Sequence, residues 1–77
     1  MKLVSGEIAN VSGGDYTFQV TISSGTSLFE FSLDNRPFDS VENGSFTATA
    51  NGQIKLSAGR FLWTGTGDAT ASLNKTV

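Results

Sequence analysis

The sequence predicts an all-β domain, and three observations carry that prediction. Apolar and polar residues alternate with period two in most segments, and no stretch shows a helical period. Clusters of Gly, Asn and Ser interrupt the alternation at intervals of about 8–12 residues, the spacing of short strands in sandwiches and barrels. Thr fills the polar side of several runs, where a β-branched side chain suits a pleated, half-solvated surface. A chain of 77 residues allows one domain, spanning residues 1–77. Large apolar residues recur in every segment, which separates the chain from a disordered tail. The expected architecture is a small antiparallel barrel of five to seven strands, OB-like in its arrangement, with a sandwich as the other topology.

The elements follow in order. Leu3 to Val11 forms a first, weak run, with Gly6 marking a bend or bulge. Ser12-Gly13-Gly14-Asp15 then turns the chain. From Tyr16 to Ser23 the alternation is cleanest: Tyr16, Phe18, Val20 and Ile22 share one face, and Thr17, Gln19 and Thr21 the other. Ser24-Gly25-Thr26 reads as a hairpin connection to the run Ser27 to Asp34, where Phe29, Phe31 and Leu33 oppose Leu28, Glu30 and Ser32. Residues Arg36 to Gly44 break the rhythm. Pro37 biases Arg36 away from helix, a single helical turn fits from Asp39, and Asn43-Gly44 signals a turn. Ser45 to Ala50 and Gln53 to Ala58 alternate on either side of Asn51-Gly52, the strongest short-range hairpin signal. Gly59 bends the chain into Arg60-Phe61-Leu62-Trp63-Thr64. Gly65-Thr66-Gly67-Asp68 turns it again, and Ala69, Ala71 and Leu73 mark a thin last strand.

Composition removes most chemistry. There is no Cys and no His, so disulfides, thiol nucleophiles, thiolate-held zinc and imidazole bases are all excluded. The carboxylates Glu7, Asp15, Glu30, Asp34, Asp39, Glu42 and Asp68 fall mostly in or beside turns, where they are solvated or capping. No nucleophile elbow, phosphate loop or calcium loop is present. The expectation is a protein that is not an enzyme and needs no cofactor or metal. Met1 to Gly6 offers too short an apolar run for a leader, which needs ~7–15 such residues. A membrane span needs about 20, so no membrane partner is expected, and the expected location is cytoplasmic or virion-associated.

Binding is the remaining class. Five Lys and Arg against seven Asp and Glu leave a net charge of −2, too little positive charge to hold nucleic acid by electrostatics alone. Single-strand binders add stacking aromatics to a few cations. Arg36 with Phe38, and Arg60 with Phe61 and Trp63, set a cation beside aromatics, and Lys55 adds a further positive charge. These six residues are the candidate nucleic-acid-binding set. Two strands with aromatics two apart (Tyr16 and Phe18, Phe29 and Phe31), followed by Val41-Glu42-Asn43-Gly44, resemble a cold-shock-type OB barrel. Asp15 to Val20 and Leu28 to Ser32 would fall at the two nucleic-acid motifs of that family. Tyr16-Thr17-Phe18-Gln19 and Leu33 to Phe38 are similar to stretches of small filamentous-phage single-stranded-DNA-binding proteins, which share the OB fold. The resemblance implies single-stranded nucleic-acid binding through aromatic stacking. Two departures stand beside it. Asp15 occupies a place where basic residues accompany the first motif, and the faces opposite the aromatics are polar, which assigns Tyr16, Phe18, Phe29 and Phe31 to the core.

The alternative is a structural or assembly protein, of the decoration type found on virions, or another protein-interaction module. A small, thin-cored β domain with open edge strands gains by pairing them, so a protein partner or a homo-oligomer is expected on that reading.

Overall fold

The computed structural model describes residues 1–33 and 36–76. The expected end of the second long run at Asp34, and Asp34-Asn35 within the stretch Leu33 to Phe38, lie outside the described residues. Within them the chain forms strands only: β1 (Ile8–Val11), β2 (Gly14–Thr21), β3 (Ser27–Ser32), β4 (Asp39–Phe46), β5 (Ala50–Leu56), β6 (Gly59–Gly65) and β7 (Thr70–Lys75). They build two antiparallel sheets, one in the order β1-β6-β3-β4 and the other β5-β2-β7. The sheets share a core in which Val11, Phe29, Phe61 and Trp63 of the first meet Tyr16, Val20, Leu56, Ala71 and Leu73 of the second. Phe29 is its centre. Its ring lies 5.2 Å from Phe61, 5.4 Å from Phe18 across the sheets, and 5.7 Å from Phe46. The core assignment of Tyr16 and Phe29 agrees with the alternation, while Phe18 and Phe31 pack against the core half-buried.

Pairing differs from the sequence expectation in several places, each with a physical cause. The runs from Tyr16 and from Ser27 do not form a hairpin: β2 and β3 belong to different sheets. Their connection docks instead on the β6–β7 loop. Ser23 and Ser24 donate their N–H groups to Asp68 Oδ1 at 3.0 and 2.9 Å, and Asp68 N–H donates back to Ser24 O at 3.0 Å. Gly25 has φ +140°, and a Cβ there would lie 2.0 Å from Thr66 O, so the two loops meet backbone to backbone. The Ser24 and Ser23 N–H groups stabilise the Asp68 carboxylate and hold its pKa below the ordinary value.

Asn51-Gly52 is not a hairpin turn either. Both residues sit inside β5, Gly52 lies opposite Phe18 on β2, and a Cβ on it would come within 3.2 Å of the Phe18 ring. The glycine makes room for an aromatic ring on a flat strand. The turn falls earlier, at residues 47–49, where Thr49 Oγ1 accepts from Ile22 N–H at 3.0 Å. Nor does Asn43-Gly44 end a strand. The β3–β4 register steps from Leu28↔Ser45 to Glu30↔Ser40, so residues 41–44 bulge opposite Phe29, and Asn43 takes φ 58°. Asp39 opens β4 rather than a helical turn, because β3 pairs it with Phe31.

Gly6 is a bend, as its place in the weak first run suggests: at φ +83° it lets the N-terminal segment change sheets. Leu3 N–H bonds Ala71 O and Leu73 N–H bonds Met1 O, beside β7; then Gly6 N–H bonds Trp63 O and β1 joins β6. One corner between the sheets is thereby closed by continuous chain. At the other corner β4 and β5 end their respective sheets without pairing, so no closed barrel forms among the described residues.

Candidate functional site

The unpaired corner holds an open groove of about 650 Å³. The end of β3 and the loop after it (Phe31, Leu33, Arg36, Pro37) form one side. Asp39 and Val41 of β4 and Lys55 and Leu56 of β5 form the facing edges. The lining mixes apolar side chains with hydroxyls, two cations and one carboxylate. Edge strands expose a row of N–H and C=O groups on the side away from their partner. β5 pairs with β2 through an unbroken register from Gly14↔Leu56 to Val20↔Ala50, so its outer edge is regular as well as open. The β4 edge is interrupted by its bulge.

Four of the six sequence-predicted residues gather here. Arg36 and Lys55 line the groove and are exposed. Phe38 is half-buried beside it, with the Arg60 guanidinium 5.1 Å from its ring centroid. Arg60 pairs with Ser32 in the β3–β6 register, and its Nη2 donates to Ser32 Oγ at 3.0 Å and to Arg36 O at 3.3 Å. Ser32 Oγ in turn donates to Arg36 O at 2.5 Å. Arg60 therefore pins the residue 36–38 segment to the sheet through Nη2, while its buried Nε has no hydrogen-bond partner among the described residues.

Phe61 and Trp63 need correction as binding residues. Phe61 is fully buried and Trp63 is 4 % exposed. Both sit on the inner face of β6, and Trp63 Nε1 donates to the buried Ser27 Oγ at 2.6 Å. A stacking platform must present a ring face to solvent, and these rings face the opposite sheet. The alternation Arg60-Phe61-Leu62-Trp63 carries the signal for this, since Phe61 and Trp63 share a face that Arg60 does not. Sequence reasoning also passed over Leu33, Val41 and Leu56 as groove residues. Their role follows from which strands end each sheet, and the only local hint is Lys55, a charge of the kind that edge strands carry.

Among the described residues no three His, Cys, Asp or Glu side chains gather where they could hold a metal ion. The groove can grip an extended chain by backbone pairing, apolar contact and two cations. No family model matches the chain, and neither a curated protein nor a solved structure matches it at a significant level.

Proposed function

We propose that the chain is a non-enzymatic interaction module that takes an extended segment of a protein partner into the groove between β4 and β5. The observation that carries this reading is the seven-residue, bulge-free outer edge of β5, whose last residues Lys55 and Leu56 line a groove of mixed apolar and polar character. Main-chain pairing to such an edge supplies affinity, and pockets for alternate side chains supply selectivity. On this reading the protein is an open barrel: one corner is closed by its own N-terminal segment, and a partner strand completes the other. An OB-like order is not part of the proposal, because β2 pairs with β5 and β7 rather than with its chain neighbours. An assembly role, with or without self-association, follows from the same edge.

A capped eight-residue peptide alternating Val and Thr tests the reading by amide hydrogen exchange. Protection confined to residues 50–56 supports strand addition; unchanged exchange there at millimolar peptide rejects it.

A second reading, single-stranded nucleic-acid binding, is favoured by the placement of Arg36, Lys55 and Phe38 around one groove. With Phe61 and Trp63 in the core, stacking falls to Phe38 and Phe31, at ~1–3 kcal/mol per base. The two groove cations, Arg36 and Lys55, imply a shallow salt dependence, with a slope of about −0.7 per phosphate contact. Oligothymidine titrated at low salt would then shift the amide resonances of residues 36–38 and 55–57. No shift rejects it.

A further inference from the structure

Resting on the strand-addition reading above, we infer that the partner strand carries a carboxylate set beside Lys55 and Arg36, flanked on both sides by apolar side chains. Side chains of β5 alternate: Asn51, Gln53 and Lys55 point to solvent, and Ile54 and Leu56 to the interior. A strand added to this edge follows the same pleat. Its residue next to Lys55 therefore stands on the solvent side, and the residues before and after it turn inward beside Ile54 and Leu56, of which Leu56 lines the groove with Val41 and Leu33.

The charges make the choice of sign. Among the described residues lining the groove, Arg36 and Lys55 are cationic and Asp39 is anionic, and Asp15 stands opposite Lys55 on the β2 side of the ladder. Arg60 adds a third positive charge behind the residue 36–38 segment, because its partners Phe38, Ser32 Oγ and Arg36 O are all uncharged. No ion pair ties Arg36 or Lys55 to a carboxylate among the described residues. A partner acid beside Lys55 gains a cross-strand pair and a second cation nearby, whereas a partner lysine meets like charge.

The test uses three labelled peptides: the Val–Thr parent, and versions with its central Thr replaced by Asp or by Lys. Fluorescence anisotropy in about 20 mM salt should show the Asp peptide binding about fivefold tighter than the parent and the Lys peptide weaker than it. The preference should shrink in 0.5 M salt and reverse in Lys55→Glu, an exposed site whose change leaves the core untouched. Asp39→Asn should strengthen binding of the Asp peptide about twofold. Equal affinities of the three peptides overturn the inference while leaving strand addition standing. A preference for Asp that survives in both Lys55→Glu and Arg36→Glu overturns it too. Binding by oligothymidine alone, with none of the peptides protecting residues 50–56, overturns the inference and the reading beneath it.

Discussion

The buried bond from Trp63 Nε1 to Ser27 Oγ shows how one polar pair constrains a hydrophobic interior. Ser27 is 1 % exposed and Trp63 4 %, so neither group has water as a substitute partner. Ser27→Ala leaves the indole N–H unpaired and should cost about 1–3 kcal/mol, read as a lower urea midpoint with an unchanged slope. Asp68 works differently, at the surface. Its carboxylate accepts from Ser24 and Ser23, and its folded pKa lies below the unfolded one. Its stabilisation is therefore complete above the ordinary aspartate value of about 3.9 and is lost as pH falls through the lower folded value. Asp68→Ala should melt earlier than the wild type at pH 7, with the two melting temperatures converging below about pH 4. A gap that stayed constant to pH 2 would show that the ionised carboxylate is not what holds the loops together.

At the scale of the strands, Gly and Asn carry more than turn chemistry. Gly52 faces the Phe18 ring, and glycines at 59 and 65 lie under Phe31 and Trp63, where a Cβ would come within 2.6 and 2.4 Å of the rings. These residues read locally as breakers, yet each belongs to a strand that passes beneath an aromatic side chain. Asn43 marks the β4 bulge, and its φ of 58° is tolerable for Asn and unfavourable for a β-branched residue. Asn43→Gly should therefore be nearly neutral, and Asn43→Val should destabilise by about 1–2 kcal/mol in chemical denaturation. The bulge also bears on the proposed strand addition. It disrupts the β4 edge and leaves β5 as the regular edge at the groove, which is how the element-level irregularity selects where a partner strand would pair.

At the scale of the whole fold, among the described residues only β3 and β4 are neighbours both in the chain and in a sheet. Ile8 pairs with Leu62 and Tyr16 with Lys75, so most of the ladder must wait for distant segments to meet. Loop-closure entropy is lost before those pairings return anything. Refolding followed by Trp63 fluorescence in stopped flow should take milliseconds to seconds rather than microseconds. A microsecond relaxation would indicate a transition state built from local contacts, which this topology does not provide. The same topology leaves the β4–β5 corner open, since its two strands are joined by residues 47–49 but hydrogen-bond to β3 and β2.

The sequence by itself determined the strand content, the inward face of β2, and the burial of Tyr16 and Phe29, because alternation is a local signal that assigns a side to each residue. It also brought together Arg36, Phe38, Lys55 and Arg60 as a group worth locating. The alternation Arg60-Phe61-Leu62-Trp63 puts Phe61 and Trp63 on one face, and the structure turns that face inward, whereas tertiary contacts alone decided which strands pair and that Asn51-Gly52 lies within a strand. The physical reason is the same in each case. A residue's tolerance for positive φ or for a close neighbour is written in its type. Whether a turn, a bulge or an overlying ring uses that tolerance depends on chain segments far away, and so does the identity of the strand left at an edge.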